Sequence, residues 1–223
     1  MTTLNVVKIG GSLSQNPKAL RTLCQKLSVL ASKHRIIVVP GGGKFANCVR
    51  EAYEQFSLSD IAAHRMAILG MDQYGLLLAD LTPNSQIIDN IEEIKKVNKS
   101  LAVFLPSKFM TLSDGELPNS WEVTSDSIAT YIAKKIEAET LLLIKNVDGI
   151  LTDDPKKNTH TKLFEYITTK ELAKMKNKTC VDTYLPELLN ILKIDCHIVN
   201  GFYPDRIETT LNKQKTIGTK ISP

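Results

Sequence analysis

The fold of this chain is limited most by an unbroken apolar run, Ile36 to Val39, which ends in Pro40 and three glycines. A strand with one face in water alternates apolar and polar residues, so a β-branched run without alternation indicates a strand that is covered on both faces. Thr140 to Ile144 has the same character. Between such runs, apolar residues recur at helical spacing, as in Lys18 to Ser32. Strand, helix and strand in this order predict βαβ units and a parallel sheet.

Glycines follow the first two predicted strands at the same point. Val6 to Ile9 runs into Gly10-Gly11-Ser12, and the second strand runs into Gly41-Gly42-Gly43. Glycine lets backbone N–H groups approach a bulky anion, and a helix that starts just after the turn favours negative charge there. In open α/β sheets, ligands bind at the carboxyl ends of the strands. The two turns therefore predict a phosphate site, with Lys8 beside it as a point charge.

Two established nucleotide motifs fit this region poorly. A phosphate-binding loop of the form G-x-x-x-x-G-K-[ST] needs a hydroxyl after the lysine, but Phe45 follows Lys44 and Val38 holds the place of the first glycine. Gly41, Gly43 and Ala46 meet a loose dinucleotide-binding pattern. That pattern also needs a second strand ending in an acidic residue about 20 residues on. The stretch there reads as a loop entering a helix, which disfavours a dinucleotide.

Three further stretches carry candidate site residues. The helical region from Asp60 to Asp80 is apolar on most sides, which predicts burial and leaves His64, Asp72 and Gln73 as either satisfied core groups or site residues. Thr124 to Ser127 predicts a capped helix start, although capping does not explain so many polar residues together. Lys145 to Pro155 predicts a polar loop at the carboxyl end of a strand.

The remaining elements follow from shorter patterns. Ile94 to Val97 and Leu101 to Leu105 are predicted to be strands, and Leu112 to Ser120 a hairpin or a loop over the site. The C-terminal part predicts a helix after Thr168, three further elements and a last strand. These elements are a helix from Tyr184 to Leu192, a strand from Cys196 to Asn200, a helix near Asp205 to Leu211, and the strand Thr216 to Ile221.

Composition excludes several classes of protein. The formal net charge is only +4 and the basic residues are spread along the 223 residues, so we expect no nucleic-acid partner. No apolar run is long enough to cross a bilayer, and the first strand leaves no room for a signal peptide. The four cysteines lack C-x-x-C spacing, which favours free thiols in a reducing compartment, the cytoplasm.

Motifs along nearly the whole chain resemble those of the amino acid kinase superfamily, which includes aspartokinase, acetylglutamate kinase, glutamate 5-kinase, bacterial UMP kinase and isopentenyl phosphate kinase. Their order and spacing together carry the resemblance. The motifs are Val7 to Ser12, Pro40 to Gly43, Thr124 to Ala129, Val147 to Pro155, Asn200-Gly201 and Ile217 to Thr219.

The resemblance implies an α/β fold, a three-layer αβα sandwich around a mainly parallel central sheet, formed by one domain, 1–223. Residues 1–120 would hold the phosphoryl acceptor and residues 121–223 would hold ATP. Mg²⁺ would come with ATP, without a protein ligand set that we can name. A homodimer or a higher homo-oligomer would be expected.

The resemblance also implies roles for individual residues. Lys8 would contact the transferring phosphoryl group, and Asp126 would orient that lysine. The residues implied for catalysis are Lys8, Asp126 and Asp182. Those implied for ATP and phosphate are Gly10, Gly11, Ser12, Lys145, Asp148, Gly149 and Asp154. Those implied for a small anionic acceptor are Gly41, Gly42, Gly43, His64, Asp72, Gln73, Thr124 and Ser125.

Within the superfamily, His64 to Asp80 and Ser120 to Ser127 are most similar to an aspartokinase-like group. That group phosphorylates (5-(aminomethyl)furan-3-yl)methyl phosphate in methanofuran-type cofactor biosynthesis. One departure bears on the acceptor. Members that accept amino acids carry a second lysine in a Gly-Gly-Met-x-x-Lys run, whereas Thr179 to Pro186 has none. UMP kinases have a Met-Asp run there, which Asp182 resembles, and Asp72 is similar to their acceptor-side aspartate.

The resemblance therefore implies a kinase that makes a diphosphate from a phosphomonoester, and Lys145 becomes the candidate for the second cationic group. UMP kinase, isopentenyl phosphate kinase and an amino-acid (carboxylate) kinase stay open as alternatives. A non-catalytic protein that binds nucleotides or oxyanions is the alternative from another class, because a fold alone does not decide function.

Overall fold

The computed structural model describes residues 3–153, 160–175 and 179–223. A central sheet of eight strands has the order β3-β4-β2-β1-β5-β7-β8-β6, and neighbouring strands are parallel except β7 and β8. The strands are β1 Leu4–Ile9, β2 Arg35–Pro40, β3 Gln86–Ile88, β4 Leu101–Phe104, β5 Thr140–Lys145, β6 Tyr166–Thr168, β7 Cys196–Asn200 and β8 Thr219–Ser222. The predicted α/β class with a mainly parallel sheet is confirmed.

Helices cover both faces of this sheet. They are α1 Pro17–Leu30, α2 Gly43–Phe56, α3 Asp60–Leu81, α4 Pro106–Leu112, α5 Ser125–Lys135, α6 Thr169–Ala173, α7 Leu185–Leu192 and α8 Asp205–Leu211. Successive strand residues point to opposite faces, so Val7 packs with α1 and α8 while Val6 packs with α5 and α7. Two apolar cores result, one on each side of the sheet, which completes the three layers. No helix in the described ranges is long and apolar enough to cross a membrane.

Several sequence predictions are wrong at the level of elements. Ile94 to Val97 is not a strand, since residues 91–96 form a 3-10 helix. The side chains of Ile94 in this helix and of Val97 just after it are buried. A three-residue strand at Gln86–Ile88 takes the sheet edge instead. Short elements of this kind owe their state to packing rather than to local propensity. Two helices also differ from the sequence prediction. The sequence does not predict α4, and a 3-10 turn, Gly11–Gln15, separates the first glycine turn from α1.

The helix α3 is less buried than its composition suggests. His64, Met71 and Tyr74 face the interior, but Leu69 is 54% and Leu76 50% exposed. The burial predicted for most of its surface is therefore wrong for one face.

Four parallel strands end at the same edge of the sheet. The amide of Gly10 donates to Ile144 O at 2.8 Å, and the amide of Gly41 donates to Ile9 O at 2.9 Å. Gly201 continues the same ladder by donating to Lys145 O at 2.8 Å. Both glycine turns, the end of β5 and the end of β7 therefore meet at one carboxyl edge, where ligands of parallel α/β sheets bind.

Candidate active site

Two buried lysines share one buried carboxylate at this edge. Lys8 projects from β1 and Lys145 from the end of β5, and both ammonium groups reach Asp126 in the first turn of α5. Lys8 Nζ lies 2.7 Å from Asp126 Oδ1, and Lys145 Nζ lies 2.7 Å from Oδ1 and 2.6 Å from Oδ2. The three side chains are at most 9% exposed. The sequence placed Lys8, Asp126 and Lys145 far apart, and the fold joins them into one cluster.

The three side chains of the cluster carry two positive charges and one negative charge, and the carboxylate of Asp182 is a second negative group whose charge acts on both lysines. Burial raises the pKa of Asp126, but Lys145 and Lys8 outweigh burial and hold that pKa well below its usual range. Burial lowers the pKa of Lys145, yet the Asp126 carboxylate outweighs it and the pKa is raised. Burial lowers the pKa of Lys8 and the nearby Lys145 adds to this, so Lys8 is the lysine with a lowered pKa. An anion bound beside Lys8 would balance the surplus charge.

Asp182 fixes the start of α5. Its Oδ2 accepts hydrogen bonds from the amides of Thr124 and Ser127, both at 3.0 Å, and their hydroxyls also donate to its carboxylate. The amide of Asp182 in turn donates to Asp126 Oδ2 at 3.3 Å. The sequence predicts Thr124 or Ser125 as the N-cap residue, and Thr124 takes that position. Its side chain forms no capping hydrogen bond, because its hydroxyl donates to Asp182. Asp182 therefore holds Asp126 in place.

The two glycine turns touch each other. A Cβ on Gly11 would lie 2.1 Å from the amide nitrogen of Gly43, so a side chain there would separate the turns. Gly43 also has φ +55°, a conformation that favours glycine. No side chain caps α2, and its first amides stand beside the Gly10-Gly11 turn. Backbone N–H groups from both turns can therefore meet one anion.

A cavity of about 690 Å³ opens from these turns. Two helix faces form its walls with residues at i, i+3, i+4 and i+7 spacing, namely Gly43 to Arg50 on α2 and His64 to Met71 on α3. Of the residues predicted for phosphate or acceptor, those that line the cavity are Gly11, Ser12, Gly42, Gly43, His64, Thr124 and Ser125. Gly10 and Gly41 lie buried behind them.

Sequence reasoning missed several residues in the walls of this cavity. They are Ser14, Gln15, Lys44, Asn47, Arg50, Met71 and Trp121. Helical spacing from Gly43 through Ala46 and Asn47 would have found Arg50. Trp121 could not be found this way, since it lies in a turn before α5 and reaches α2 only in the folded chain.

Two predicted acceptor residues lie elsewhere. Asp72 accepts a hydrogen bond from the amide of Ser107 at 3.2 Å and another from its hydroxyl, so it caps the start of α4. Gln73 is exposed on the outer face of α3. His64 lies in the walls of two neighbouring cavities, and burial lowers its pKa. Of the three residues of this helix that the sequence predicts for the acceptor, His64 alone lines the large cavity.

The loop after β5 carries Asp148 and Gly149. Asp148 Oδ1 accepts from Arg206 at 2.5 Å and from Asn200 at 3.0 Å, and these groups outweigh burial to lower its pKa. A Cβ on Gly149 would lie 2.2 Å from Thr219 Oγ1, so this glycine serves close packing against β8. Asp154 lies outside the described residues.

The described part of the chain shows no cluster of three His, Cys, Asp or Glu side chains that could hold a metal ion. Asp126, the carboxylate nearest the glycine turns, is bound to Lys8, Lys145 and the Asp182 amide.

A sequence model described as the amino acid kinase family matches residues 3–200. The chain belongs to this family. It is 34% identical to the [5-(aminomethyl)furan-3-yl]methyl phosphate kinase of Methanocaldococcus jannaschii over 98% of this chain and 97% of that protein. It is 26% identical to the uridylate kinase of Methanococcoides burtonii over 94% of this chain and 92% of that one. This amino acid kinase family member is a phosphotransferase, like these relatives.

Solved structures agree on the fold of this family member. The uridylate kinase of Archaeoglobus fulgidus superposes with a TM-score of 0.77 at 19% identity, covering 99% of this chain and all of that one. The UMP kinase of Ureaplasma parvum gives a TM-score of 0.76 at 22% identity over the whole of both chains.

Proposed function

We propose that this kinase transfers the γ-phosphoryl group of ATP to a small phosphomonoester to give a diphosphate. We further propose that the acceptor is [5-(aminomethyl)furan-3-yl]methyl phosphate, in methanofuran-type cofactor biosynthesis. One observation carries the transfer chemistry: Lys8 and Lys145 share the single carboxylate of Asp126 beside the two glycine turns. Phosphoryl transfer needs positioning and neutralisation of charge more than covalent chemistry from the protein.

Each residue has a task in this reaction. Lys8 would neutralise charge on the transferring group, and the amides of Gly11 and Gly43 would orient it. Asp126 would keep Lys8 and Lys145 in place, with Asp182 positioning Asp126. An oxygen of the acceptor's phosphate forms the new P–O bond while the bond to the β–γ bridging oxygen breaks, and ADP leaves with that electron pair. The attacking phosphate is already anionic, so no general base is required.

Mg²⁺ would neutralise charge on the ATP phosphates and would be held mainly by them. The described carboxylates near the turns fit this arrangement, because Asp126 is already occupied by two ammonium groups. We assign residues 1–120 mainly to the acceptor and residues 121–223 mainly to ATP. The cavity supports this division with its α2 and α3 walls, although Trp121, Val123, Thr124 and Ser125 also line it.

Two observations support a phosphate acceptor. Among the described residues, the cavity is lined by Lys44 and Arg50 but by no carboxylate, which suits an anion. The segment Thr179 to Pro186 has no lysine, whereas members that accept amino acids carry one in the matching region, and its Asp182 caps α5. The specific acceptor rests on the Methanocaldococcus jannaschii relative, which matches nearly the full length of both chains.

Uridylate is the second candidate acceptor. Further relatives are uridylate kinases, for example that of Pyrococcus abyssi, which is 28% identical over 78% of this chain and 76% of that one. UMP also carries a phosphomonoester, so the same cluster and glycine turns would serve it.

We also propose that the chain works as a homo-oligomer in the cytoplasm. The exposed apolar face of α3, formed by Met66, Leu69, Leu76 and Leu77, supports self-association. The free thiols of all four cysteines support a reducing compartment.

An ADP-release assay with a panel of acceptors tests this function. We expect turnover with the furan phosphate and far less with UMP, isopentenyl phosphate, aspartate or acetylglutamate. Faster turnover of UMP or isopentenyl phosphate would retain the chemistry and replace the acceptor. Turnover of an amino acid would contradict a phosphate acceptor. ATP binding without turnover of any acceptor would favour a non-catalytic binding protein.

A further inference from the structure

An arginine lies over the ring of the chain's only tryptophan in the wall of the large cavity. The guanidinium carbon of Arg50 is 4.4 Å from the ring centroid of Trp121, and both residues line the cavity. Tyr53, one turn further along α2, meets Trp121 edge to face with centroids 5.7 Å apart. This Arg50–Trp121 stack lies apart from the Lys8–Asp126–Lys145 cluster and has no task in the transfer chemistry above.

The guanidinium of Arg50 is a cation without a carboxylate partner among the residues that the structure describes. Two of the other described arginines do have one, namely Arg65 with Asp114 and Arg206 with Asp148. A planar guanidinium stacks readily on aromatic faces and is weakly hydrated. Arg50 therefore offers its second face to whatever enters the cavity.

The tryptophan is held firmly in place. Its turn is closed by the Val123 amide, which donates to Ser120 O at 3.2 Å, and by the Glu122 amide, which donates to Ser120 Oγ at 3.2 Å. The Tyr184 amide donates to Glu122 O at 3.3 Å and ties this turn to the segment that carries Asp182. Trp121 thus presents a preorganised flat surface whose position is linked to the catalytic cluster.

The distance of the stack from the glycine turns matches the body of a small phosphomonoester. Arg50 follows Gly43 by seven residues, which is about 10 Å along a helix. Side chains on a helix lean back toward its N-terminus, which brings the guanidinium nearer to Gly43. A phosphate at the turns would place the group esterified to it beside the stack.

We propose that the Arg50–Trp121 stack is the surface that selects the acceptor, and that it favours phosphomonoesters whose body is a planar, electron-rich ring. The inference rests on the proposed function and narrows its substrate class. A ring lying on the free face of the guanidinium gains cation–π attraction, which an aliphatic chain cannot supply. A furan ring has this chemistry, whereas the isopentenyl group does not.

Trp121 provides its own reporter, because no other tryptophan contributes to the fluorescence of the chain. Without ATP, we expect (5-(aminomethyl)furan-3-yl)methyl phosphate to change Trp121 emission saturably and isopentenyl phosphate to bind more weakly. In Arg50→Gln, the dissociation constant for the furan phosphate should rise on the order of tenfold. The dissociation constant for isopentenyl phosphate should rise less, because that ligand loses only the attraction between its phosphate and the Arg50 charge. Arg50→Lys should recover little of the preference, because an ammonium is not planar.

Arg21→Gln is the matched control, since Arg21 is an exposed arginine on α1 that does not line the cavity. It should leave both dissociation constants unchanged. Trp121→Leu should raise the KM for the furan phosphate with little change in the KM for ATP, and Trp121→Phe should restore most of it. If Trp121→Leu does not fold, the Arg50 variants decide, because that side chain is exposed.

The outcomes separate this inference from the proposed function. Equal weakening of both ligands in Arg50→Gln, no weakening at all, or no response of Trp121 to the furan phosphate overturns the role of the stack. Kinase turnover can persist in each of these cases. Conversely, a selective Trp121 response without turnover of any acceptor would overturn the proposed function and leave the selecting surface in place.

Discussion

At the scale of single residues, one carboxylate decides the electrostatics of the site. Within the Lys8–Asp126–Lys145 cluster, Asp126 balances one of the two buried ammonium groups that touch it. The carboxylate of Asp182 acts on both lysines but forms no ion pair with either of them. Moving charges out of water is costly, so an unbalanced buried charge is retained only with a compensating interaction. A bound phosphoryl group would supply that compensation, which makes the imbalance the property most closely tied to function.

Lys8→Met should abolish turnover and leave the fold intact. Asp126 keeps Lys145 as its partner, so we expect the free energy of unfolding to change by about 1 kcal/mol or less. Loss of a group that stabilises developing charge should lower kcat by about 10²-fold or more. Steady-state kinetics and urea unfolding measure the two effects. Retained activity in Lys8→Met would remove this lysine from the transfer chemistry.

Asp126→Asn should behave differently, because it leaves Lys8 and Lys145 without a counter-charge. Breaking a buried pair in this way costs about 3–5 kcal/mol. We therefore expect a lower urea midpoint as well as lost turnover. The Asp205→Asn variant breaks an exposed pair with Lys26 and should cost less than about 1 kcal/mol. Equal stability of the two variants would contradict the assigned burial of the cluster.

The pH profile should show Lys8 on its alkaline side. Burial and Lys145 lower the pKa of Lys8 below 10.5, and only the protonated ammonium neutralises a phosphoryl group. The kcat/KM for ATP should therefore be constant below the lowered pKa and fall as the pH rises through it, before pH 10.5 is reached. A profile that stays flat up to pH 10.5 would show that the pKa of Lys8 is not lowered.

At the scale of elements, α5 owes its start to a residue from another segment. Asp182 accepts four hydrogen bonds from Thr124 and Ser127. Sequence reasoning gave this helix its start and its acidic first turn. It could not give the cap, because Asp182 lies 55 or more residues away and only packing brings it near.

Asp182→Asn should lower both stability and kcat. An amide offers one acceptor oxygen in place of two, so we expect a loss of about 1–3 kcal/mol and a displaced Asp126. Thr168→Ala is the control, since it removes the capping box of α6 away from the site and should cost about 1 kcal/mol without changing kcat. Unfolding and steady-state assays on both variants test this. A kcat that Asp182→Asn leaves unchanged would contradict its positioning role.

The difference between local sequence signals and contacts made only in the folded chain explains which elements the sequence predicted well. The strands β1, β2 and β5 are buried on both faces, so their apolar runs were read correctly. The segment Ile94 to Val97 has two lysines between two β-branched apolar residues, and both apolar side chains are buried although the segment forms no strand. In this segment the apolar residues predict burial correctly, but they do not predict the secondary structure. Likewise, the motif residues Lys8 and Asp126 were found, whereas Arg50 and Trp121 meet only through the tertiary fold.

At the scale of the whole molecule, the exposed face of α3 predicts self-association. Leu69→Glu combined with Leu76→Glu should convert an oligomer to a monomer, because both side chains are about half exposed on one helix face. Val29→Glu, which changes a side chain on α1 that is even more exposed, should leave the oligomer intact. Size-exclusion chromatography with light scattering reads out the mass. A wild-type protein that is monomeric would contradict this interface.

The central claim is that the surplus charge of the Lys8–Asp126–Lys145 cluster serves transfer of a phosphoryl group onto a phosphomonoester. Phosphorus-31 NMR of the protein with Mg-ATP and (5-(aminomethyl)furan-3-yl)methyl phosphate tests it most directly. The account predicts that the acceptor's single phosphate resonance is replaced by the two coupled resonances of a diphosphate as ADP appears, and that Lys8→Met shows neither change. An unchanged acceptor resonance with the wild-type protein, or diphosphate formation by Lys8→Met, would contradict it.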